Sequence, residues 1–152
     1  ETLAAPIGTP VLLVREGAVV PMLASDVETL IATEAPSIVD LEDRATDRRV
    51  RVVPGADGEI VLEEGATIRL RSRDAESAEI EIDPADSGID RWILIVDTTG
   101  ADVEVAGRVA VPAASRAEVE AYCDGCWLDD VAARQVVVGV RGRATVLVRD
   151  AP

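Results

Sequence analysis

The stretches IRLRS (68–72) and AEIEID (78–83) decide the fold of this chain. In both, apolar and charged residues alternate: Ile68 and Leu70 against Arg69 and Arg71, Ile80 and Ile82 against Glu79 and Glu81. Successive side chains of a strand point to opposite faces, so each stretch buries one face and wets the other. Working outward, RVRVVP (49–54) alternates in the same way. RWILIVD (91–97) is more continuously apolar and is expected to be a central strand. GADGEIVLEEG (55–65) sets a glycine-bounded turn before a short strand, and ADVEVAGRVAV (101–111) turns at Ala106-Gly107. QVVVGV (135–140) and ATVLVR (144–149) read as a closing hairpin around Arg141-Gly142-Arg143. The one clear break, PAASRAEVEAY (112–122), predicts a short helix from Ser115. About ten short strands parted by Gly- and Asp-rich turns predict an all-β fold. The expected architecture is an antiparallel β-sandwich with one or two short helical turns.

The opening stretch TPVLLVREGAVVPML (9–23) reads as strand, turn, strand. Val11–Val14 and Ala18–Leu23 flank the turn Arg15-Glu16-Gly17, and both apolar runs are expected to be covered on two faces. No apolar run reaches the roughly 20 residues that a membrane-spanning helix needs, so no membrane partner is expected. Ser25-Asp26-Val27-Glu28 has the form of a capping box, with Leu30 and Ile31 behind it, and predicts one or two helical turns. The break around it divides the chain into residues 1–35, a hairpin plus short helix, and residues 36–152, the sandwich proper.

The 152 residues amount to about one domain, and 48% hydrophobic content is ample for a packed core. All 15 cationic side chains are Arg, and His and Phe are absent. That bias is what a GC-rich, bacterial genome would write, so the choice of Arg over Lys carries little functional weight. A net charge of −14 opposes binding to nucleic acid or anionic lipid. The triplets Arg48, Arg49, Arg51 and Arg69, Arg71, Arg73 have strand spacing and are expected to be solvated strand faces. The chain opens at Glu1 without Met or a leader-like segment. It therefore reads as an internal stretch of a longer protein, with a cytoplasmic setting slightly favoured.

Without His, the commonest general base and zinc ligand is missing, and any hydrolysis would fall to the 29 carboxylates. Cys123-Asp124-Gly125-Cys126 is the sharpest local motif. Zinc would need ligands the chain lacks, and a thioredoxin-type dithiol would need a βαβ unit. A local disulfide between Cys123 and Cys126, or two free thiols, are the readings that stay open. Glu63-Glu64 points to opposite faces of a strand, which suits no glycosidase pair. Asp129-Asp130 and the series Asp83, Asp86, Asp90 read as turn carboxylates, since DPADSGID (83–90) lacks EF-hand spacing. Trp92 and Trp127 are expected in the core, and with Tyr122 they are the only aromatics, which disfavours a sugar-stacking surface. No catalytic, substrate-binding or metal-ligating residue is assigned, and no cofactor is expected.

Around the opening hairpin the chain resembles the family 31 glycoside hydrolases, the α-glucosidase and α-xylosidase group. Pro10, Arg15, Gly17 and Pro21 match the segment that closes the β-region after the catalytic barrel in that family. SDVETL (25–30), DRRVRVVPGADGEIVLEEG (47–65), RWILIVDTTGADVEVAGR (91–108) and GCWLDDVAARQVVVGVRG (125–142) are similar to its later distal-domain runs. The cysteine motif and the absence of an aromatic before Glu63-Glu64 depart from the pattern. The resemblance implies that residues 1–35 end a proximal β-domain and that residues 36–152 form the distal sandwich. It also implies that the catalytic carboxylates lie on a barrel outside this chain. The implied partner is then the catalytic barrel of the same polypeptide, with self-association into a homo-oligomer a further expectation. A free-standing carbohydrate-binding or cell-surface module is the alternative.

Overall fold

A computed structural model describes residues 13–35, 37–72 and 74–150. Among these residues, twelve strands form two six-stranded sheets. In the first sheet the order is β1 (Val19–Met22), β2 (Asp47–Val52), β6 (Arg91–Val96), β11 (Gln135–Arg141), β10 (Cys126–Asp130), β9 (Val111–Pro112). In the second it is β3 (Gly58–Val61), β4 (Thr67–Arg71), β5 (Ala78–Asp83), β12 (Ala144–Asp150), β7 (Ala101–Val105), β8 (Arg108–Val109). One helix, α1 (Arg116–Tyr122), and a 3-10 turn at Glu42–Arg44 complete the described elements. The β-sandwich with short helical turns is therefore the fold.

The alternation read from the sequence sets the core. Ile68, Leu70, Ile80 and Ile82 turn inward from the second sheet, and Val50, Val52, Trp92 and Leu94 meet them from the first. Residues of opposite parity on β4 and β5 form a charged outer ladder, with Arg69 opposite Glu81 and Arg71 opposite Glu79. Arg69 and Arg71 are exposed as expected, whereas Arg73 lies outside the described residues. β6 sits between β2 and β11 and is buried on both faces, the central place its continuous apolar run implied.

Three local expectations are corrected. First, β11 and β12 do not pair with each other. β11 pairs with β6 and β10, and β12 pairs with β5 and β7, so the 141–143 turn carries the chain across the core from one sheet to the other. A tight turn between two alternating strands fits a hairpin and such an arch equally well, and only long-range packing separates them. The β5–β6 connection crosses at the same end of the sandwich, and the two arches are tied together. Asp83 pairs with Arg143 and Asp90 with Arg141, each at 2.7 Å, and the Gly142 amide donates to the Asp90 carbonyl at 2.8 Å. Second, the sheet is not antiparallel throughout: β2–β6 and β9–β10 are parallel. β2 and β6 are separated in sequence by three strands of the other sheet, so they enter the first sheet from the same end.

Third, Ser25 starts no helix. Its hydroxyl donates to Glu120 at 3.0 Å, Asp26 is held by Arg44, and the Glu28 amide donates to the Val39 carbonyl at 2.8 Å. Tertiary partners have taken the groups a capping box would use. Ser115, with the same signature, does cap a helix, accepting from the Glu118 amide at 3.2 Å. In the opening stretch, Val11 and Leu12 lie outside the described residues. Among the described ones, β1 pairs with β2 in the sandwich, and Leu13 is 73% exposed rather than covered.

Between β1 and the 3-10 turn, residues 29–35 and 37–40 belong to a loop closed by a bridge between Thr29 and Asp40. The Asp40 carboxylate sits at its base and accepts from the amides of Thr33 at 2.7 Å, Glu42 at 2.8 Å and Asp43 at 3.1 Å. Those bonds, the Thr33 amide foremost, hold its carboxyl below the usual aspartate range. A carboxylate with a depressed folded pKa stabilises fully above its unfolded value of about 3.9 and loses that contribution as pH falls through the folded value. Hydrogen exchange, corrected for intrinsic rates, should show the Thr33 and Glu42 amides equally protected at pH 8 and pH 5 and progressively less below about pH 4. Asp40→Asn should abolish that dependence. An unchanged acid profile in the variant would assign the loss to another group.

Candidate functional site

The outer face of the first sheet bears the most structured polar site. β2 presents Arg49 and β6 presents Arg91 and Ile93, because odd-numbered residues of both strands face away from the core. α1 lies over this face, and the loop at Ser25-Asp26 and the 3-10 turn with Arg44 complete a cleft of about 470 Å³. α1 can approach so closely because position 139 of β11 is glycine. A Cβ there would stand 2.9 Å from the Cys123 carbonyl oxygen and 3.1 Å from that of Val119. Val119 of α1 packs with Ile93, Cys126 and Val137 of the sheet as a small second core.

The cleft walls are ion pairs. Arg44 holds Asp26, Arg91 holds Asp47, and Arg91 also donates to the Ala121 carbonyl at 2.8 Å, near the C-terminal end of α1. Glu120 accepts from Arg116 at 3.0 Å and faces Arg49 at 3.4 Å. Four cations line the cleft with three carboxylates: Arg44, Arg49 and Arg91 meet Asp26, Glu120 and Asp47, and Arg48 reaches Glu64 outside it. The expectation that Arg48 and Arg49 form a solvated face is corrected, since their side chains are only 17% and 13% exposed. Their strand spacing was legible, but the helix and loop that cover them come from distant sequence.

Chemically, this arrangement clamps loop, sheet and helix together. Arg44 holds the Asp26 carboxyl below its ordinary pKa, and Arg48 does the same to Glu64. A glycosidase acid needs the reverse shift, upward, from burial in an apolar setting. Four other carboxylates singled out in the sequence are engaged elsewhere. Asp83 and Asp90 tie the arches, Asp129 accepts from the Gly100 amide at 3.0 Å, and Asp130 accepts from the Ala133 amide at 3.1 Å. No group of three His, Cys, Asp or Glu among the described residues is placed to hold a metal ion. Trp92 is fully buried and Trp127 packs against the main core, as expected of both.

Cys123 follows the last turn of α1 and Cys126 opens β10, with Cα atoms 5.7 Å apart and the sulfurs in contact. That separation is within the span of a disulfide. The pair sits at the C-terminal end of a helix, where the backbone dipole opposes a thiolate instead of favouring one.

Replacing Gly139 by Ala should lift α1 from the sheet, because its Cβ would meet backbone atoms that cannot rotate away. Overpacking of this kind costs about 1–3 kcal/mol. For a chain of this size each kcal/mol lowers Tm by roughly 2–4 °C. Thermal melts of Gly139→Ala that match the parent would show that the helix is not seated through this contact.

No protein-family model matches the chain, and no curated protein matches it by sequence. Solved structures do match the fold. A cycloalternan-forming enzyme from Listeria monocytogenes superposes with a TM-score of 0.64 at 16% identity, covering 90% of this chain and 13% of that one. A GH31 dextranase from Flavobacterium johnsoniae gives 0.59 at 10% identity, covering 90% and 19%. An α-1,4-glucan lyase from Gracilariopsis lemaneiformis gives 0.55 at 17% identity, covering 89% and 16%. The resemblance read from the sequence therefore holds at the level of fold. This sandwich recurs as a small part of much longer enzyme chains, and the present chain spans under a fifth of their length.

Proposed function

We propose that this chain is a non-catalytic β-sandwich module of a larger α-glycosidase of the family 31 type, seated on the catalytic barrel of the same polypeptide. The observation that carries the reading is the fold shared over 90% of the chain with a segment of a GH31 dextranase and of a cycloalternan-forming enzyme. The opening motif supports it physically. Gly17 has φ +76°, and a Cβ there would lie 2.7 Å from the Asp57 carbonyl, so the turn needs glycine to pack on the 56–58 segment. Pro21 lies on β1, an edge strand, where a missing amide is tolerated. In this reading residues 1–35 lead in from a preceding β-domain and lend β1 to the sandwich formed by residues 36–152. The parent hydrolyses α-glycosidic bonds, and the ion-paired cleft is structural. The isolated chain should leave 4-nitrophenyl α-glucoside unhydrolysed and bind α-glucosides no more tightly than several millimolar, whereas the longer polypeptide should turn the substrate over. Hydrolysis by the isolated chain, or tight sugar binding to it, would refute the proposal.

We also propose a structural disulfide between Cys123 and Cys126 that pins the end of α1 to β10. The intact mass should rise on reduction by the two hydrogens of an opened cystine, and alkylation should occur only after reduction. The Cys123→Ser/Cys126→Ser double variant should melt several degrees lower. Free alkylation of the native chain would remove the disulfide from this account.

A further inference from the structure

The exposed apolar side chains are unevenly distributed. Among the described residues, six of the ten large hydrophobic side chains left exposed belong to residues 13–38: Leu13, Met22, Leu23, Leu30, Ile31 and Ile38. Three of the six, Leu30, Ile31 and Ile38, stand on the loop closed by the Thr29–Asp40 bridge. Leu30 is 66% and Ile31 77% exposed. The loop is not slack, for its base is fixed by the Asp40 carboxylate and by the Glu28–Val39 backbone bond. A chain that holds adjacent Leu and Ile rigidly in solvent forgoes their burial, a cost that a docking partner would repay. Glu28 and Glu34, both exposed, flank Leu30 and Ile31 along the chain. On β4 and β5 of the second sheet, by contrast, the outer face is an alternating charged ladder, and the exposed Val61 and Val109 of that sheet stand singly on its two edge strands.

We infer that Leu30, Ile31 and Ile38, on the loop closed by the Thr29–Asp40 bridge, are the knob by which this module docks onto the remainder of its own polypeptide. Its seat there is an apolar groove flanked by cationic side chains that meet Glu28 and Glu34. The assignment rests on the module reading of the preceding subsection. The occupant follows from two facts: the fold is found within chains of which it makes up less than a fifth, and the exposed apolar residues cluster within residues 13–38. Apolar centres with charged rims are the ordinary anatomy of such contacts.

Hydrogen exchange of the longer polypeptide against the 152-residue chain tests it. Amides around Leu30 and Ile31 should exchange roughly tenfold or more slowly in the longer polypeptide. Leu30→Asp/Ile31→Asp should erase that difference and speed limited proteolysis between module and remainder, yet leave the Tm of the 152-residue chain unchanged, because both side chains are exposed there. Val109→Asp, at an equally exposed apolar site on β8, should do neither. Equal exchange in the two contexts, an equal effect of Val109→Asp, or a native protein no longer than this chain would overturn the assignment. So would a homodimer of the 152-residue chain that Leu30→Asp/Ile31→Asp dissociates, since the occupant would then be a second copy. Activity of the longer polypeptide on α-glucosides reads the module proposal separately. Inactivity with slowed loop exchange would sink that proposal alone, and activity with unslowed exchange would sink the docking loop alone.

Discussion

The paired crossing of the chain between sheets at one end of the sandwich is the constraint on which the rest depends. β5 passes into β6 and β11 into β12 side by side, so the four central strands face each other across one core. The apolar edges of Trp92, Leu94, Ile80, Ile82, Val138 and Val146 fill the space between. Gly142, at φ +56°, lets the second arch reverse without backbone strain. The ion pairs of Asp83 with Arg143 and Asp90 with Arg141 lie at the rim, where solvent screens them. They align the two turns, whereas burial of the central strands supplies the stability.

From that arrangement the outer surfaces acquire distinct characters. The outer face of the second sheet stays wet and carries its alternating charges openly. The outer face of the first sheet receives α1, which Gly139 allows to lie close, and the loop that precedes β2. Charges that would have been solvated there become an ion-paired lattice that binds helix, sheet and loop. Arg44, Arg49 and Arg91 are ion-paired to Asp26, Glu120 and Asp47 across helix, sheet and loop, an arrangement suited to holding shape. This is why the proposed role is that of a scaffold.

Two identical-looking signals show how far local sequence reaches. Ser25 and Ser115 each precede a glutamate by three residues, yet only Ser115 caps a helix. At Ser115 the Glu118 carboxylate turns back to the Ala114 amide at 2.8 Å, so the local pattern closes on itself. At Ser25 the hydroxyl, the neighbouring carboxylate and the following amide each find partners from distant sequence. The candidate site was illegible for the same reason. Arg49 and Arg91 are 42 positions apart in the chain and become neighbours only through the parallel pairing of β2 with β6.

What the sequence determined by itself is which residues form strands and which faces they bury. Ile68, Leu70, Ile80, Ile82 and the continuous run of β6 carry that information, because a period of two is a property of each segment alone. The helix beginning at Ser115 and the placement of both tryptophans in the core were equally local in origin. What only the tertiary structure decided is which strand neighbours which: the arch in place of a terminal hairpin, the parallel seam, and the conversion of an arginine-bearing strand face into a covered lattice. Strand pairing is a choice among partners that all satisfy the same alternation, and only the summed packing of one complete core distinguishes them.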